Sequence, residues 1–446
     1  MNFTKPKGTY DVLPTDSSKW QNIEHLIRRL CALYNYQEIR TPLFESSELF
    51  HRSVGETSDV VSKETYDFHD RGNRSMTLRP EGTVCVVRSY VENKLYAKQM
   101  VQKMFYIGPM FRYERQQKGR YRQHMQFGVE AFGSADPAID AEVISLAVTL
   151  YEALGLRQVK VKINSLGSAE SRQNYRQALL AHFEGHEAAL CADCKIRLEK
   201  NPLRVLDCKV DRDQEIMQTA PAMIDHLTAE DRDYFMAVQE YLKNMNIDYE
   251  YDANLVRGFD YYTHTIFEIQ AEIKGFGAQN TLCGGGRYNQ LVEELGGPAT
   301  PTIGFGMGLE RLLLALEAES IDVSGSDSVN LFLITLGEAA KKFGQRLLRD
   351  LRARGLVCET DYLGKNLKTG FKQAERHNAQ YIAIMGEEEL QKGVVNLKNT
   401  KTGTQDQVPV QGIIQYIVQQ QQSSGCGGCS GHNDENHECC GSTCHE

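Results

Sequence analysis

Residues 254–269, NLVRGFDYYTHTIFEI, constrain the fold more than any other stretch of this 446-residue chain. Thr263 to Ile269 is a run of β-branched and aromatic residues, which reads as a strand. Its head carries Arg257, Gly258, Asp260 and two adjacent tyrosines. Neighbouring residues on a strand face opposite sides. Tyr261 and Tyr262 therefore fill apolar surroundings together only if the strand is covered on both faces.

The rest of the chain supplies the covering elements. Trp20, Ile23, Leu26, Ile27, Leu30 and Leu33 recur at three- and four-residue steps, which predicts a helix over 17–34. QEIRTPLFE reads as a short strand broken by Pro42. Between 84 and 161, two helices flank a strand-turn-strand unit, MFYIGPMFRYE and MQFGVEAFG. Residues 168 to 250 are charged, helical in pattern and poor in glycine signals, as expected of an insertion. CGGGRYNQL then marks a glycine-rich turn, and IGFGMGLERLLLALE a strand entering a helix. After a linker at 320–328, VNLFLITL, GLVCET and YIAIMG alternate with helices, the pattern of an α/β domain with a parallel or mixed sheet. The domains expected are 1–325, with the insertion at about 168–250, then 328–420, and a Cys/His-rich flexible tail at 423–446.

A net charge of −9 argues against nonspecific coating of nucleic acid. The N-terminus has no apolar signal core, and no apolar run approaches the roughly 18 residues of a membrane span. Seven of the twelve cysteines are scattered through the body, as free thiols in a reducing compartment are. A cytoplasmic protein with no membrane segment is expected.

Four segments carry polar groups that a plain core would not choose: TLRPEGT (77–83), FRYERQQKGRYRQHMQFGVE (111–130), RGFDYY (257–262) and GFGMGLER (304–311). In the second, Arg112, Arg115, Lys118, Arg120 and Arg122 fall within eleven residues that hold one acid, Glu114. Such a run is usually a solvated turn. Arg112, however, lies in the strand signal, where an inward arginine needs Glu114 or a phosphate, and arginine suits bidentate phosphate contact. GFGMG alone is a weak signal, since it lacks the features of a dinucleotide fold or a P-loop. Arg311 follows it in the first helical turn, where a cation opposes the helix dipole and is better explained by an anion.

Together these segments resemble a known family. TPLFE, FRYE with GRYRQ, and GFGMGLER look like motifs 1, 2 and 3 of class II aminoacyl-tRNA synthetases. LVRGFDYYTHTIFE and GGGRYNQL resemble the two peptides peculiar to the histidyl-tRNA synthetase family, in its bacterial form. The match runs over residues 1 to 420 in the family's order. It implies an α+β class II catalytic domain, with an antiparallel sheet flanked by helices and a helical insertion, plus a C-terminal α/β anticodon-binding domain. The implied activity is histidine–tRNA ligase: histidine and ATP give histidyl-adenylate and pyrophosphate, and histidine then passes to the 3′ end of tRNA(His).

By this resemblance Arg112 holds the α-phosphate, Arg257 bridges the histidine carboxylate and α-phosphate, and Arg311 holds the γ-phosphate. Glu114 and Arg120 belong to the same ATP site, with Mg²⁺ accompanying the nucleotide. Glu81, Thr83 and Gln126 take the α-ammonium, while Glu130 and Tyr262, with Tyr261 beside it, take the imidazole. Each has a plainer reading: Tyr261 as packing, Glu81 as a helix N-terminal acid, Thr83 as a packing residue. Arg115 and Gln117 sit in the loop that meets the tRNA acceptor end. Two residues depart from the pattern. His124 stands where many bacterial members have phenylalanine near adenine, and Gln116 where proline is common. The resemblance also implies a homodimer with motif 1 at its interface.

Lys368, Lys372 and Arg376 recur every four residues, with Lys365 nearby, which puts cations on one helix face. This is a solvated face or a set of tRNA phosphate contacts. The tail holds Cys426, Cys429, Cys439, Cys440 and Cys444 with three histidines; a transition-metal site and a disordered segment are both open there. Cys191, Cys194 and Cys208 supply three ligands in the insertion without an obvious fourth, so no site is expected there. Two other functions compete: a regulatory paralogue of the kind that serves ATP phosphoribosyltransferase, and a metal-binding protein acting through its tail. The first typically lacks several of the arginines present here, and the second leaves 420 residues unexplained.

Overall fold

The computed structural model describes residues 3–54, 63–115, 119–206, 208, 210–211, 214–271, 280–325, 328–364 and 366–425. Gln116, Gln117, Lys118, Lys365 and the tail cysteines lie outside the described residues. The chain divides into two compact units, Met1–Ser324 and Gly325–Glu446.

The first unit contains strands β1 (Gln37–Glu38), β2 (Phe44–Ser46), β3 (Tyr66–His69), β4 (Ser75–Leu78), β5 (Gln102–Phe111), β6 (Gln123–Phe132), β7 (Val159–Ser165), β8 (Tyr249–Tyr251), β9 (Thr263–Ala271), β10 (Thr281–Arg287) and β11 (Thr302–Gly308). Eight form one sheet in the order β1-β5-β6-β11-β10-β9-β7-β8; β2, β4 and β3 form a small second sheet. The large sheet is mixed, which corrects the antiparallel expectation. Its six inner strands are antiparallel, but β1 runs parallel to β5 and β8 parallel to β7. A parallel pair needs a long crossover. Between β7 and β8 that crossover is the helical segment expected at 168–250, with helices Ala169–Phe183, Ala192–Lys200, Glu215–Gln218 and Ala229–Asn244.

The alternation of β6 separates core from cleft. Phe127, Val129 and Ala131 join Phe105, Phe267 and Phe305 in a buried cluster with residues of helices Pro14–Leu33 and Pro137–Ala153. His124, Gln126, Gly128 and Glu130 occupy the opposite face. The helix read at 17–34 begins at Pro14, where a proline costs no helical hydrogen bond. QEIRTPLFE supplies β1 and β2, which join different sheets.

The second unit holds β12 (Leu331–Thr335), β13 (Cys358–Thr360), β14 (Tyr381–Met385), β15 (Val394–Asn399) and β16 (Gln405–Pro409), in the order β13-β12-β14-β15-β16. The first three are parallel, as the alternating pattern predicts. The antiparallel β15–β16 hairpin was not predicted. Most of β16 is exposed, so its residues lack an apolar run. Among the described residues no helix is long and apolar enough to cross a membrane.

Candidate active site

A cleft of about 1220 Å³ opens over the polar face of the large sheet. Its floor is glycine. Gly304 pairs with Glu130 in register, and Gly284 with Glu268. A Cβ on Gly304 would lie 1.9 Å from the Glu130 carboxylate, and one on Gly284 would lie 2.2 Å from the Arg257 guanidinium. The glycines of β10 and β11 thus let charged side chains lie flat on the sheet.

Glu130 is fully buried. It accepts a hydrogen bond from the Tyr288 hydroxyl through Oε2, while Oε1 has no partner among the described residues. Burial lifts its carboxyl well above the usual range, against the opposing Tyr288 hydrogen bond. Tyr261 and Tyr262 stand close by, their rings 4.7 Å apart and both buried. They precede β9 and lie outside strand backbone, so strand alternation does not separate them. This corrects the two-faced reading of the pair. Pairing with β10 is irregular at the same place, between Gly286 and Arg287.

Glu81 performs the helix-capping role as well as lining the cleft. Its two carboxylate oxygens accept the Thr83 and Val84 amides at 2.8 Å, at the start of helix Thr83–Glu92. Thr83 is that helix's first residue, and it too lines the cleft. Gln126 projects from β6, over Gly306, with a buried Oε1 that has no hydrogen-bond partner among the described residues.

The cations form a second group. Arg257 pairs with Glu268 at 2.5 Å and lies over the Tyr262 ring at 5.7 Å. Arg112 sits one residue beyond the end of β5, where its amide still bonds Arg122 across the hairpin. Its Nε donates to the Pro80 carbonyl at 2.8 Å. Glu114 is 3.9 Å from Arg112 and 3.2 Å from Arg120, so it serves Arg120 more closely. Arg311 donates to the Thr281 carbonyl at 2.8 Å. Burial first, then Arg120, lowers its proton affinity. Four guanidinium groups, those of Arg112, Arg120, Arg257 and Arg311, thus line one cleft together with six carboxylates, of which Glu268 and Glu114 pair with them. Arg115 is exposed at the rim of the motif 2 hairpin.

Residues 8–312 match the family model described as histidyl-tRNA synthetase. The chain belongs to the histidyl-tRNA synthetase family. A model described as anticodon binding domain matches residues 330–420. The chain is 55% identical to the histidine–tRNA ligase of Anoxybacillus flavithermus over 418 residues, 94% of this chain and 99% of that one. It is 53% identical to that of Lysinibacillus sphaericus over 94% of this chain and all of the relative. Among solved structures, apo S. aureus histidyl-tRNA synthetase superposes with TM-score 0.81 at 42% identity, covering 93% of this chain and 100% of that one. A chain described as an ATP phosphoribosyltransferase regulatory subunit/histidyl-tRNA synthetase, from Bacillus halodurans C, matches at TM-score 0.63 and 22% identity, over 86% and 98%, and shares the fold. As an aminoacyl-tRNA synthetase of this family, the enzyme is a histidine–tRNA ligase and uses ATP.

Three residues in or beneath this synthetase's cleft escaped the sequence reading. Tyr288 binds Glu130 from the residue after β10, since the CGGGR expected as a turn is strand, and Glu268 holds Arg257 from β9. Glu310 accepts the Tyr10 hydroxyl and the Met125 amide, each at 2.7 Å. An acid beside Arg311 in GLER was the only sequence signal for Glu310; Glu268 looked like an ordinary outward strand residue.

Proposed function

We propose that the adenylating step of this histidine–tRNA ligase runs in the cleft, with Arg112 and Arg257 on the α-phosphate and Arg311 on the γ-phosphate. A carboxylate attacking phosphorus brings two anions together, and charge grows on the α-phosphate oxygens. Fixed guanidinium groups aimed there stabilise that charge without reorganising. Arg257 acts as the catalytic cation, also meeting the histidine carboxylate, and Glu268 holds it in place. Arg120 and Glu114 complete the ATP site, with neutral His124 against the adenine.

The observation that carries the reading is Glu130, whose buried Oε1 has no hydrogen-bond partner among the described residues and which lies on the Gln126 face of the sheet beside the Tyr261–Tyr262 pair. It accepts an imidazole N–H, and Tyr262 serves the other ring nitrogen, with Tyr261 packed beside it. Glu81, Thr83 and Gln126 receive the α-ammonium. A site that pairs both ring nitrogens rejects apolar amino acids, whose binding would leave buried polar groups unpaired.

Mg²⁺ fits as the companion of ATP. Glu310 Oε2 is buried without a hydrogen-bond partner among the described residues, and carboxylate oxygens are the donors this ion takes. Glu310 would hold Mg²⁺, which would supply neutralisation of the triphosphate charge.

The motif 2 loop, with Arg115 and Gln117, meets the acceptor end of tRNA(His). Lys368, Lys372 and Arg376 are all exposed along helix Leu367–Arg376, as phosphate contacts require. Exposed Leu43, Phe44 and Phe68 next to motif 1 support a homodimer built on that face. A role in translation and the unpaired body thiols fit the cytoplasm.

The test is histidine-dependent ATP–pyrophosphate exchange, measured with Arg257→Ala alongside. Exchange with histidine alone among the amino acids, reduced roughly 10²–10³-fold in the variant, is expected from the loss of one preorganised donor. Exchange that survives unchanged in the variant would remove Arg257 from the chemistry.

A further inference from the structure

The insertion contains a tetrad that the adenylation chemistry does not use. Cys191 and Cys194 begin helix Ala192–Lys200, and Cys208 and Asp211 follow with the same i, i+3 spacing. Their ligand atoms all lie within 4.8 Å of one another. Asp211 is the fourth group that the cysteine spacing alone did not reveal. Cys194, Cys208 and Asp211 are 0%, 4% and 2% exposed.

The spacing fits a shared metal better than a sulfur–sulfur bond. Cys191 and Cys208 sulfurs are 3.7 Å apart. A disulfide needs about 2.05 Å. Two thiolates on one tetrahedral zinc, with Zn–S bonds of about 2.3 Å, stand about 3.8 Å apart. Supporting hydrogen bonds are already formed. The Asp211 amide donates to the Cys208 sulfur at 3.4 Å, and the Cys191 amide donates to Asp211 Oδ2 at 2.9 Å. Gln214 Nε2 donates to Asp211 Oδ1 at 3.0 Å. Such contacts orient ligands around a metal.

We propose that Cys191, Cys194, Cys208 and Asp211 bind one structural Zn²⁺ in tetrahedral S₃O coordination. The site ties together a small insertion core of Tyr175, Leu179, Phe183 and their neighbours, which is the size of core that needs a staple. It also closes the chain segment that braces the catalytic loop. Within that segment Arg204 donates to the Gly258 carbonyl at 2.8 Å and to Asp260 at 2.9 Å, and Asn201 donates to Asp260 at 3.2 Å. Arg204 is a positioning residue for the turn that carries Arg257, and the metal is its anchor.

The test is metal content and Co²⁺ spectroscopy on the full chain purified under reducing conditions. A variant with all five tail cysteines changed to serine and His432, His437 and His445 changed to alanine removes the tail's contribution. This variant is expected to retain one Zn²⁺ per chain. Its Co²⁺ form should show the visible bands of a tetrahedral ion and a thiolate charge-transfer band. Adding Cys194→Ser and Cys208→Ser should abolish both. If that protein does not fold, Asp211→Asn, which keeps every thiol, should bind Zn²⁺ at least tenfold more weakly in competition with a chelator. Absence of metal from the tail variant, unchanged affinity in Asp211→Asn, or a Cys191–Cys208 disulfide in reductant-purified protein would overturn the proposal.

Discussion

Tyr288 donates its hydroxyl to one oxygen of Glu130 and leaves the other oxygen buried without a partner among the described residues, so a single carboxylate is half structural and half available. A buried acceptor in that state is costly until something donates to it. Glu130→Gln replaces the acceptor pair with a partial donor. It should lower kcat/KM for histidine roughly 10- to 150-fold, the range for a hydrogen bond to a charged group. The KM for ATP should barely move. Steady-state exchange with each substrate varied separates the two; an equal rise in both KM values would place Glu130 in general folding instead.

Arg115→Ala and Gln117→Ala should cut tRNA charging, about tenfold for Arg115, while sparing pyrophosphate exchange. Arg115 is exposed on the hairpin and is not among the residues that line the cleft. Paired aminoacylation and exchange assays check this, and equal losses in both would count against a tRNA role.

His124 is held neutral, its proton affinity pushed down to about 3 by burial first and then by Arg112 and Arg311. The unfolded imidazole titrates near 6.5. Between those values the unfolded chain binds a proton that the folded chain refuses, so stability falls as pH drops through that window. The slope is at most about 1.4 kcal/mol per pH unit for one proton. His124→Phe removes the group and should flatten stability against pH from about 6.5 toward 3. Denaturant melts across that range measure it; an unchanged slope would mean that the imidazole is charged in the folded protein.

Phe44 and Phe68 pack edge to face, 6.2 Å between centroids, and are respectively 51% and 40% exposed. Two adjoining exposed aromatics beside Leu43 are the surface on which the proposed homodimer would form. Wild-type protein should sediment as a dimer, and Phe44→Asp should shift it to the monomer mass. A wild-type monomer at working concentration would refute the interface.

On helix Leu367–Arg376, neutralising Lys368, Lys372 and Arg376 together should flatten the dependence of tRNA binding on salt. Each lost phosphate contact lowers the log–log slope by about 0.7 to 0.9. An unchanged slope leaves a solvated face.

Much of this protein was legible in its sequence because period and spacing are local properties. The first helix, the strand-turn-strand unit of β5 and β6, the step from β11 into its helix and the α/β alternation of the second unit all follow from side-chain patterning over a few residues. So did the four polar segments, since an arginine or paired tyrosines inside a strand pattern are visible without coordinates. The β15–β16 hairpin was not, because a strand with one solvated face carries little apolar signal.

What only the tertiary structure decided are the relationships between segments distant in the chain. Nothing local in TIFEI says that Glu268 holds Arg257, or in GGGRY that Tyr288 reaches Glu130 across 158 residues. The glycines of β10 and β11 read as permissive until strand pairing laid charged side chains across them. Asp211 was one acid among many until the insertion folded it against three cysteines. A residue's type and its neighbours set what it can do, and the pairing of strands sets what it does it to.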